Sequence, residues 1–248
     1  MGVVQGPSEL LPVSSSGHLA LLPRLLGWDY ANLQGDTRKS FEVAVHAGSA
    51  PVLAAVAVRA GRSHPPNPPA LALTLLPPVA AGFALERPIE RRLGGPRSVG
   101  LAQIAAGAAL LLADRRPAER DRTDAGDHLA VGVGQAIALV PGVSRSGAAL
   151  TAARLRGLSR PASLHLALTA ALPVTLGAVA LKGLRAAREG SGGELFGPAL
   201  AGAGAAFVSA AAASPLVARL GRARSYAPLA AYRIGLGALA IATAGRGA

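Results

Sequence analysis

Long apolar runs, separated by short polar links, dominate the chain. Each run approaches the roughly 20 residues that a helix needs to cross a bilayer. The runs are 41–59, 70–86, 98–114, 162–182, 196–218 and 227–244. The links between them are rich in Arg and Pro, and none is long enough to form a separate domain. The pattern predicts an all-α integral membrane protein with about six transmembrane helices, in which residues 1–248 form a single membrane domain.

Two further apolar segments, 1–26 and 128–152, are each interrupted near the middle by a polar turn. These turns are Pro12–His18 and Pro141–Gly147. An irregular backbone cannot face lipid, because its polar groups would lack hydrogen-bond partners there. Two half-helices that meet at a polar turn inside the protein avoid this problem, so we predict a re-entrant helical hairpin in each segment. An ordinary span with a kink is the alternative that the same pattern allows.

The two interrupted segments also form an internal repeat. With an offset of 130 residues, 2–5 align with 132–135 and 13–17 align with 143–147, and seven of these nine positions are identical. Each repeat would contain one hairpin and three spans, and an odd number of spans inverts the second repeat relative to the first. We therefore predict inverted-topology repeats over 1–114 and 128–248, with the two polar turns meeting near the membrane midplane.

Composition and charge narrow the class of protein. Hydrophobic residues make up 51% of the chain and charged residues 15%, whereas about 25% charged is usual for a soluble domain. The net charge of +12 comes from arginines in short links, without the interleaved aromatics of a nucleic-acid surface, so we expect no nucleic-acid partner. The chain has no cysteine, which excludes a cysteine nucleophile and thiolate metal sites. Basic residues divide almost evenly between the two predicted sides, so charge does not orient the protein.

The ionisable residues of the hairpins are the candidates for chemistry, because such groups are costly at membrane depth. Gln5 and Glu9 are four residues apart and share a helix face. Arg145, together with the positive N-terminal ends of two half-helices, would bind a phosphate or diphosphate. A carboxylate in that pocket would repel the anion unless it held a proton or a divalent cation. Glu9 is therefore predicted to be a metal ligand or an acid/base group.

A hydroxyl and a histidine accompany the carboxylate. A turn serine together with His18 would supply a nucleophile and a proton carrier. Outside the hairpins, His46 lies on the face of a span near the predicted site, and its role stays open. Arg233, within the last predicted span, is interpreted as paired or snorkelling, with a role in lining the site as the alternative. The simplest competing interpretation is that the turns only satisfy backbone groups at a helix break.

At these residues the chain resembles the undecaprenyl-diphosphate phosphatase family, integral membrane enzymes also associated with bacitracin resistance. The first family signature is (Glu/Gln)-x-x-x-Glu followed by Pro-Val-Ser-Ser-x-Gly-His, which 5–9 and 12–18 match. The second is Pro-Gly-x-Ser-Arg-Ser-x-x-Thr, which 141–146 match. The final Thr of that signature is Ala149 here, with Thr151 nearby. The similarity continues along nearly the whole chain.

The resemblance implies hydrolysis of the terminal phosphate of a C55 polyprenyl diphosphate, giving undecaprenyl phosphate, the lipid carrier for cell-wall sugars. It implies a site on the outer face of the inner (cytoplasmic) membrane and a divalent cation, Mg²⁺ or Ca²⁺. Glu9 and Gln5 would be the metal or acid/base pair, and Arg145 the phosphate clamp. We favour Ser15 as the nucleophile, with His18 as the rival nucleophile or proton carrier. The remaining turn serines are predicted to bind the substrate: Ser14, Ser16, Ser144 and Ser146.

Two other functions compete with this prediction. Inverted repeats whose half-helix ends meet at the midplane are equally typical of a transporter or lipid flippase. An intramembrane serine protease would use Ser146 with a distant histidine such as His165, but an arginine beside the nucleophile suits a phosphate better than an amide carbonyl. The expected partners are the lipid substrate and the bilayer. A homodimer is compatible with the sequence.

Overall fold

The computed structural model describes residues 1–33, 35–61, 68–117, 120–188 and 196–244. Within these ranges the chain is helical, and its single extended pairing is an isolated bridge between Arg120 and Leu158. A short 3₁₀ helix covers Asp29–Asn32. The α-helices are α1 Gly2–Leu10, α2 Ser15–Leu25, α3 Gly35–Gly61, α4 Pro68–Leu93, α5 Pro96–Asp114, α6 Ala125–Ile137, α7 Arg145–Leu155, α8 Arg160–Arg188, α9 Phe196–Gly221 and α10 Ala227–Thr243.

Among the described residues, five helices are long and apolar enough to cross a membrane: α3, α4, α5, α8 and α9. This confirms the prediction of an all-α integral membrane protein. The sixth predicted run forms α10, which is apolar but has only 17 residues. Several helices extend past the predicted apolar runs into polar sequence. Helix α4, for example, continues from the run 70–86 to Leu93. At the end of α4, Glu86 and Glu90 lie 3.6 and 3.8 Å from the amine of Lys182 in α8.

Each of the two interrupted segments consists of two helices rather than one kinked span. Helices α1 and α2 meet at the turn 11–14, and α6 and α7 meet at the turn 138–144. The partners of each pair pack against each other. Serine side chains cap the second helix of both pairs, so the breaks are built into the local sequence. Re-entrant placement of these pairs in a membrane stays a prediction.

The two halves of the chain pack through their small residues. Helix α1 packs on α9, α6 packs on α4, and α5 packs on α10. A Cβ atom at Gly6 would lie 2.2 Å from the backbone nitrogen of Ala210, and one at Gly237 would lie 2.4 Å from the carbonyl oxygen of Gly100. Such backbone approach is how small residues serve helix contacts in lipid. The broken segment of each half thus lies on a long helix of the other half.

A buried carboxylate anchors the end of α5 to three other parts of the chain. Asp114 accepts hydrogen bonds from the side chain of Arg160 at 2.7 Å and from the backbone nitrogen of Tyr226 at 2.7 Å. Its carbonyl oxygen accepts from Arg154 in α7 at 3.2 Å. Because Arg154 lies in the last turn of α7, this anchor positions the helix whose first residue is Arg145.

Candidate active site

The carboxylate of Glu9 is the point at which the residues of the first signature converge. Glu9 Oε2 accepts a hydrogen bond from Ser15 Oγ at 2.7 Å and another from Gln5 Nε2 at 3.0 Å. Gln5 is fully buried, and the Glu9 side chain is 9% exposed. The helical spacing of Gln5 and Glu9 and the turn that returns the chain at Ser15 produce this contact. The structure therefore joins the predicted metal or acid/base pair to the predicted nucleophile.

The first polar turn places Ser15 by capping α2. Ser14 Oγ accepts from the backbone nitrogen of Gly17 at 3.2 Å and lies 3.2 Å from Ser16 Oγ. Ser14 has φ of 77°, in the left-handed region that is unfavourable for residues with a Cβ. The cap satisfies one free N–H group of α2. Ser14, which is predicted to bind the substrate, thus has a structural role as the cap of α2.

The second polar turn repeats this cap and presents an arginine. Ser144 Oγ accepts from the backbone nitrogen of Gly147 at 3.1 Å and lies 3.2 Å from Ser146 Oγ. Arg145 is the first residue of α7, and its Nη1 donates to Thr175 Oγ1 of α8 at 2.6 Å. The positive charge of the guanidinium interacts favourably with the Glu9 carboxylate. The two predicted hairpins therefore bring Ser15, Glu9 and Arg145 together.

Arg233 of α10 connects the two turns. Its Nη1 donates to the carbonyl oxygen of Pro12 at 3.1 Å and its Nη2 donates to that of Gly142 at 3.2 Å. Its Nε donates to Gln103 Oε1 at 3.0 Å, while Gln103 Nε2 donates to the carbonyl oxygen of Val13 at 3.0 Å. Arg233 is fully buried, so it does not snorkel. Two of its partners are backbone carbonyls and the third is the amide oxygen of Gln103. Because none of them is an acidic side chain, no charge pattern in the sequence indicates this connection.

His18 lies beside the site rather than on its carboxylate. Its Nδ1 is 2.7 Å from the carbonyl oxygen of Ser14, and its Nε2 is 2.6 Å from the hydroxyl of Tyr232. Because a carbonyl oxygen only accepts, Nδ1 is the donor, and in the neutral ring Nε2 accepts from Tyr232. The ring faces an apolar cavity of about 370 Å³ between α1, α2 and α10. Other residues that line this cavity are Val4, Pro7, Leu11, Leu22 and Leu229.

The histidine that contacts the carboxylate is His46 of α3. Its Nε2 lies 3.5 Å from Glu9 Oε2, and its Nδ1 lies 2.7 Å from the carbonyl oxygen of Glu42. The sequence alone did not decide the role of His46. Thr175 was not identified at all, because it belongs to no motif. Thr151, the threonine near the end of the second signature, donates to the carbonyl oxygen of Gly147 in its own helix at 2.8 Å. The hydroxyl that contacts Arg145 is that of Thr175 in α8.

The oxygen atoms around Glu9 fit a divalent cation. Gln5 Oε1 is buried and has no hydrogen-bond partner in the structure. An amide oxygen and a carboxylate are ligands that Mg²⁺ and Ca²⁺ take in proteins. Within the described ranges, no three His, Cys, Asp or Glu side chains converge on one point. A cation here would therefore complete its coordination with water or phosphate oxygens, as Mg²⁺ commonly does.

These features define a class of protein, an α-helical membrane protein in which a carboxylate, a hydroxyl and an arginine form a polar site between two broken helical segments. Comparison with known proteins identifies its family. A sequence model of the family described as "Bacitracin resistance protein BacA" matches residues 1–239. The chain belongs to this family, and the resemblance drawn from the two signatures is confirmed.

Three relatives illustrate the similarity, and each is named undecaprenyl-diphosphatase. The protein of Geobacter sulfurreducens is 34% identical over 98% of this chain and 95% of the relative. That of Trichlorobacter lovleyi is 33% identical over 97% and 94%. That of Gemmatimonas aurantiaca is 35% identical over 98% and 95%. The similarity therefore covers nearly the full length of both partners in each comparison.

Proposed function

We propose that this chain is an undecaprenyl-diphosphate phosphatase, which hydrolyses the terminal phosphate of the C55 lipid and yields undecaprenyl phosphate. Membership of the BacA family and the names of the relatives support this activity. The observation that carries the proposal is the 2.7 Å hydrogen bond from Ser15 Oγ to Glu9 Oε2. It pairs a hydroxyl with a base that can take its proton, which is the arrangement of an activated nucleophile.

In the proposed reaction, Ser15 Oγ attacks the terminal phosphorus and its proton passes to Glu9. The bond from that phosphorus to the bridging oxygen breaks, and undecaprenyl phosphate leaves. Glu9 passes its proton to the departing phosphate, which frees the carboxylate. Water then attacks the phosphoserine and gives a proton to Glu9. The bond from phosphorus to Ser15 Oγ breaks, Oγ takes that proton back, and inorganic phosphate is released. Arg145 and the N-terminal ends of α2 and α7 would stabilise the charge on the phosphate oxygens.

The cation fits into this scheme through Glu9 and Gln5. These residues would hold Mg²⁺ or Ca²⁺, which would neutralise phosphate oxygens and so reduce their repulsion with the carboxylate. The turn serines Ser14, Ser16, Ser144 and Ser146 would border the same phosphate.

His18 is the rival for the nucleophile. Both ring nitrogens of His18 are hydrogen-bonded, Nδ1 to the carbonyl oxygen of Ser14 and Nε2 to the hydroxyl of Tyr232. The hydrogen bond to Tyr232 would have to break before Nε2 could attack phosphorus. This favours Ser15 as the nucleophile.

We infer the location and the architecture of the protein from its family and its helices. The chain is a multi-pass membrane protein, since five helices are long and apolar enough to span. We place it in the inner membrane with the site facing outward, and we keep the inverted repeats 1–114 and 128–248 as its architecture. The reciprocal packing of α1 on α9 and of α6 on α4 supports those repeats. We expect no nucleic-acid partner and keep a homodimer as one assembly state to be measured.

Phosphate release by detergent-purified protein tests the proposal. The substrates are farnesyl and undecaprenyl diphosphate, with Mg²⁺, Ca²⁺ or EDTA. We expect cation-dependent release that Ser15→Ala and Arg145→Ala each reduce by at least about a hundredfold. Ser214→Ala is the matched control, because Ser214 is half-buried and its side chain donates to the carbonyl oxygen of Ala211 within α9. Near-normal release by both site variants would overturn the proposal.

A transporter or flippase is the alternative, since reciprocal packing of broken helices suits it equally. Movement of the lipid across liposomes without phosphate release would favour that function. Loss of phosphate release in the site variants, with the Ser214→Ala control unaffected, would favour the phosphatase.

A further inference from the structure

The ring of His46 is oriented as the ring of a metal ligand is. Its Nδ1 lies 2.7 Å from the carbonyl oxygen of Glu42. A carbonyl oxygen only accepts, so Nδ1 carries the hydrogen and the lone pair of the neutral ring is on Nε2. Metal-binding histidines are held in the same way, with the second ring nitrogen donating to a carbonyl or carboxylate. The backbone of α3 thus presents Nε2 towards Glu9.

The distance between Nε2 and the Glu9 carboxylate suits a shared cation. His46 Nε2 lies 3.5 Å from Glu9 Oε2. Two ligands that each lie about 2.1 Å from one metal ion are separated by about 3.0 to 3.4 Å in octahedral or tetrahedral geometry. A small adjustment of either side chain would bring both atoms into coordination. A plain ion pair between imidazolium and carboxylate is the competing explanation of the same distance.

The side-chain amide of Gln5 is the third group beside this carboxylate. Gln5 is fully buried, and its Oε1 has no hydrogen-bond partner in the structure. A buried acceptor without a partner is costly, and native structures contain few of them. Gln5 Nε2 already contacts Glu9, and rotation of the terminal amide would exchange the positions of its nitrogen and oxygen. After that rotation, a cation between the two side chains would bind Oε1 in place of the hydrogen bond from Nε2 to Glu9.

We propose that His46 is a direct ligand of the active-site cation and completes a site with Glu9 and Gln5. This inference rests on the proposed function to the extent that the cation lies at Glu9. An imidazole ligand favours first-row transition metals, whereas carboxylate and carbonyl oxygens suit Mg²⁺ and Ca²⁺. The site is therefore expected to bind Co²⁺ or Zn²⁺ more tightly than Mg²⁺, and His46 supplies this preference.

The test is a Co²⁺ titration of the detergent-purified protein, followed through the visible absorption of the bound metal. The variants are His46→Gln and Glu9→Gln. His128→Gln is the matched control. His128 lies in the first turn of α6, and its ring contacts Thr123, which precedes that helix. We expect His46→Gln to weaken Co²⁺ binding about tenfold to a hundredfold and to change its spectrum. Mg²⁺ binding, measured by competition, should change less, and the control should match the unmodified protein.

Several outcomes would overturn the inference. If His46→Gln binds Co²⁺ as tightly as the unmodified protein, His46 is only an ion-pair partner of Glu9. If Glu9→Gln keeps Co²⁺ binding, or the unmodified protein binds no Co²⁺, the cation site is not at these residues. Thermal unfolding in detergent should show that each variant is folded. Phosphate release is measured separately, so His46-dependent Co²⁺ binding without release would support the ligand and reject the phosphatase.

Discussion

The two polar turns are built alike but present different chemistry. In each, a serine caps the following helix through a glycine nitrogen, at 3.2 Å for Ser14 and 3.1 Å for Ser144. The residue after each cap is Ser15 in one turn and Arg145 in the other. Ser15 contacts the carboxylate of Glu9, and Arg145 contacts Thr175. One framework, used twice, thus presents the proposed nucleophile from one half and the proposed anion clamp from the other.

The turns also differ in where the backbone is strained. The first turn, 11–14, is the shorter, and its positive φ of 77° falls on Ser14 itself. The second turn, 138–144, is longer and has its positive φ of 98° at Gly142, where the absence of Cβ removes the strain. Ser144 caps α7 with φ of −37°. The turn that carries the proposed nucleophile is therefore also the strained one, as is common at functional sites.

Replacing the residue that follows each cap should have the largest effects. We expect Ser15→Ala to lower kcat for phosphate release by more than about a thousandfold, because it removes the nucleophile. Arg145→Ala should lower kcat/KM by about a hundredfold to a thousandfold, because charge stabilisation is lost. Steady-state kinetics on undecaprenyl diphosphate measure both effects. A smaller loss for Ser15→Ala than for Arg145→Ala would contradict the assigned roles.

Removing the connection between the turns should have the next largest effect. Arg233→Met leaves the carbonyls of Pro12 and Gly142 without their donor, and we expect a loss of about 2–5 kcal/mol in the free energy of unfolding. Gln103→Leu releases only the first turn directly and should cost about 1–3 kcal/mol. Unfolding in detergent measures both variants. Equal stability losses would show that Arg233 does not hold the second turn.

Removing the caps should have similar, smaller effects in the two turns. Ser14→Ala and Ser144→Ala each lose a hydrogen bond to a helix N-terminus, for which about 1 kcal/mol is typical. Unfolding free energies of the two variants should agree within about 0.5 kcal/mol. A much larger loss at one position would mean that its serine does more than cap the helix.

Glycine at the two cap positions should give the smallest and sharpest contrast. Ser14→Gly loses the cap but relieves the left-handed φ, so its net effect on stability should be near zero. Ser144→Gly gains no such relief and should cost more, by about 1 kcal/mol relative to Ser14→Gly. Thermal unfolding of the pair in one detergent measures this difference. Equal effects would remove backbone strain from the account of the first turn.

Local sequence patterns predicted much of the fold and part of the site. Apolar runs located the long helices because a helix in lipid satisfies its own backbone. The spacing of Gln5 and Glu9 predicted their shared face, since that relation depends only on helical geometry. The serine turns predicted the breaks because capping is a local interaction. The predicted ends of the helices were less accurate where polar residues continue a helix, as at the end of α4, which reaches Leu93.

The sequence by itself determined where the long helices and the two polar turns lie. It also determined that Gln5 and Glu9 share a face of the helix before the first turn. The tertiary structure alone decided that His46 reaches Glu9, that His18 turns to Tyr232, that Thr175 receives Arg145 and that Arg233 connects both turns. The physical reason is that these contacts join distant parts of the chain across packed helices. In the turns, moreover, the bonded groups include backbone carbonyls, which every residue possesses and no side-chain pattern can reveal.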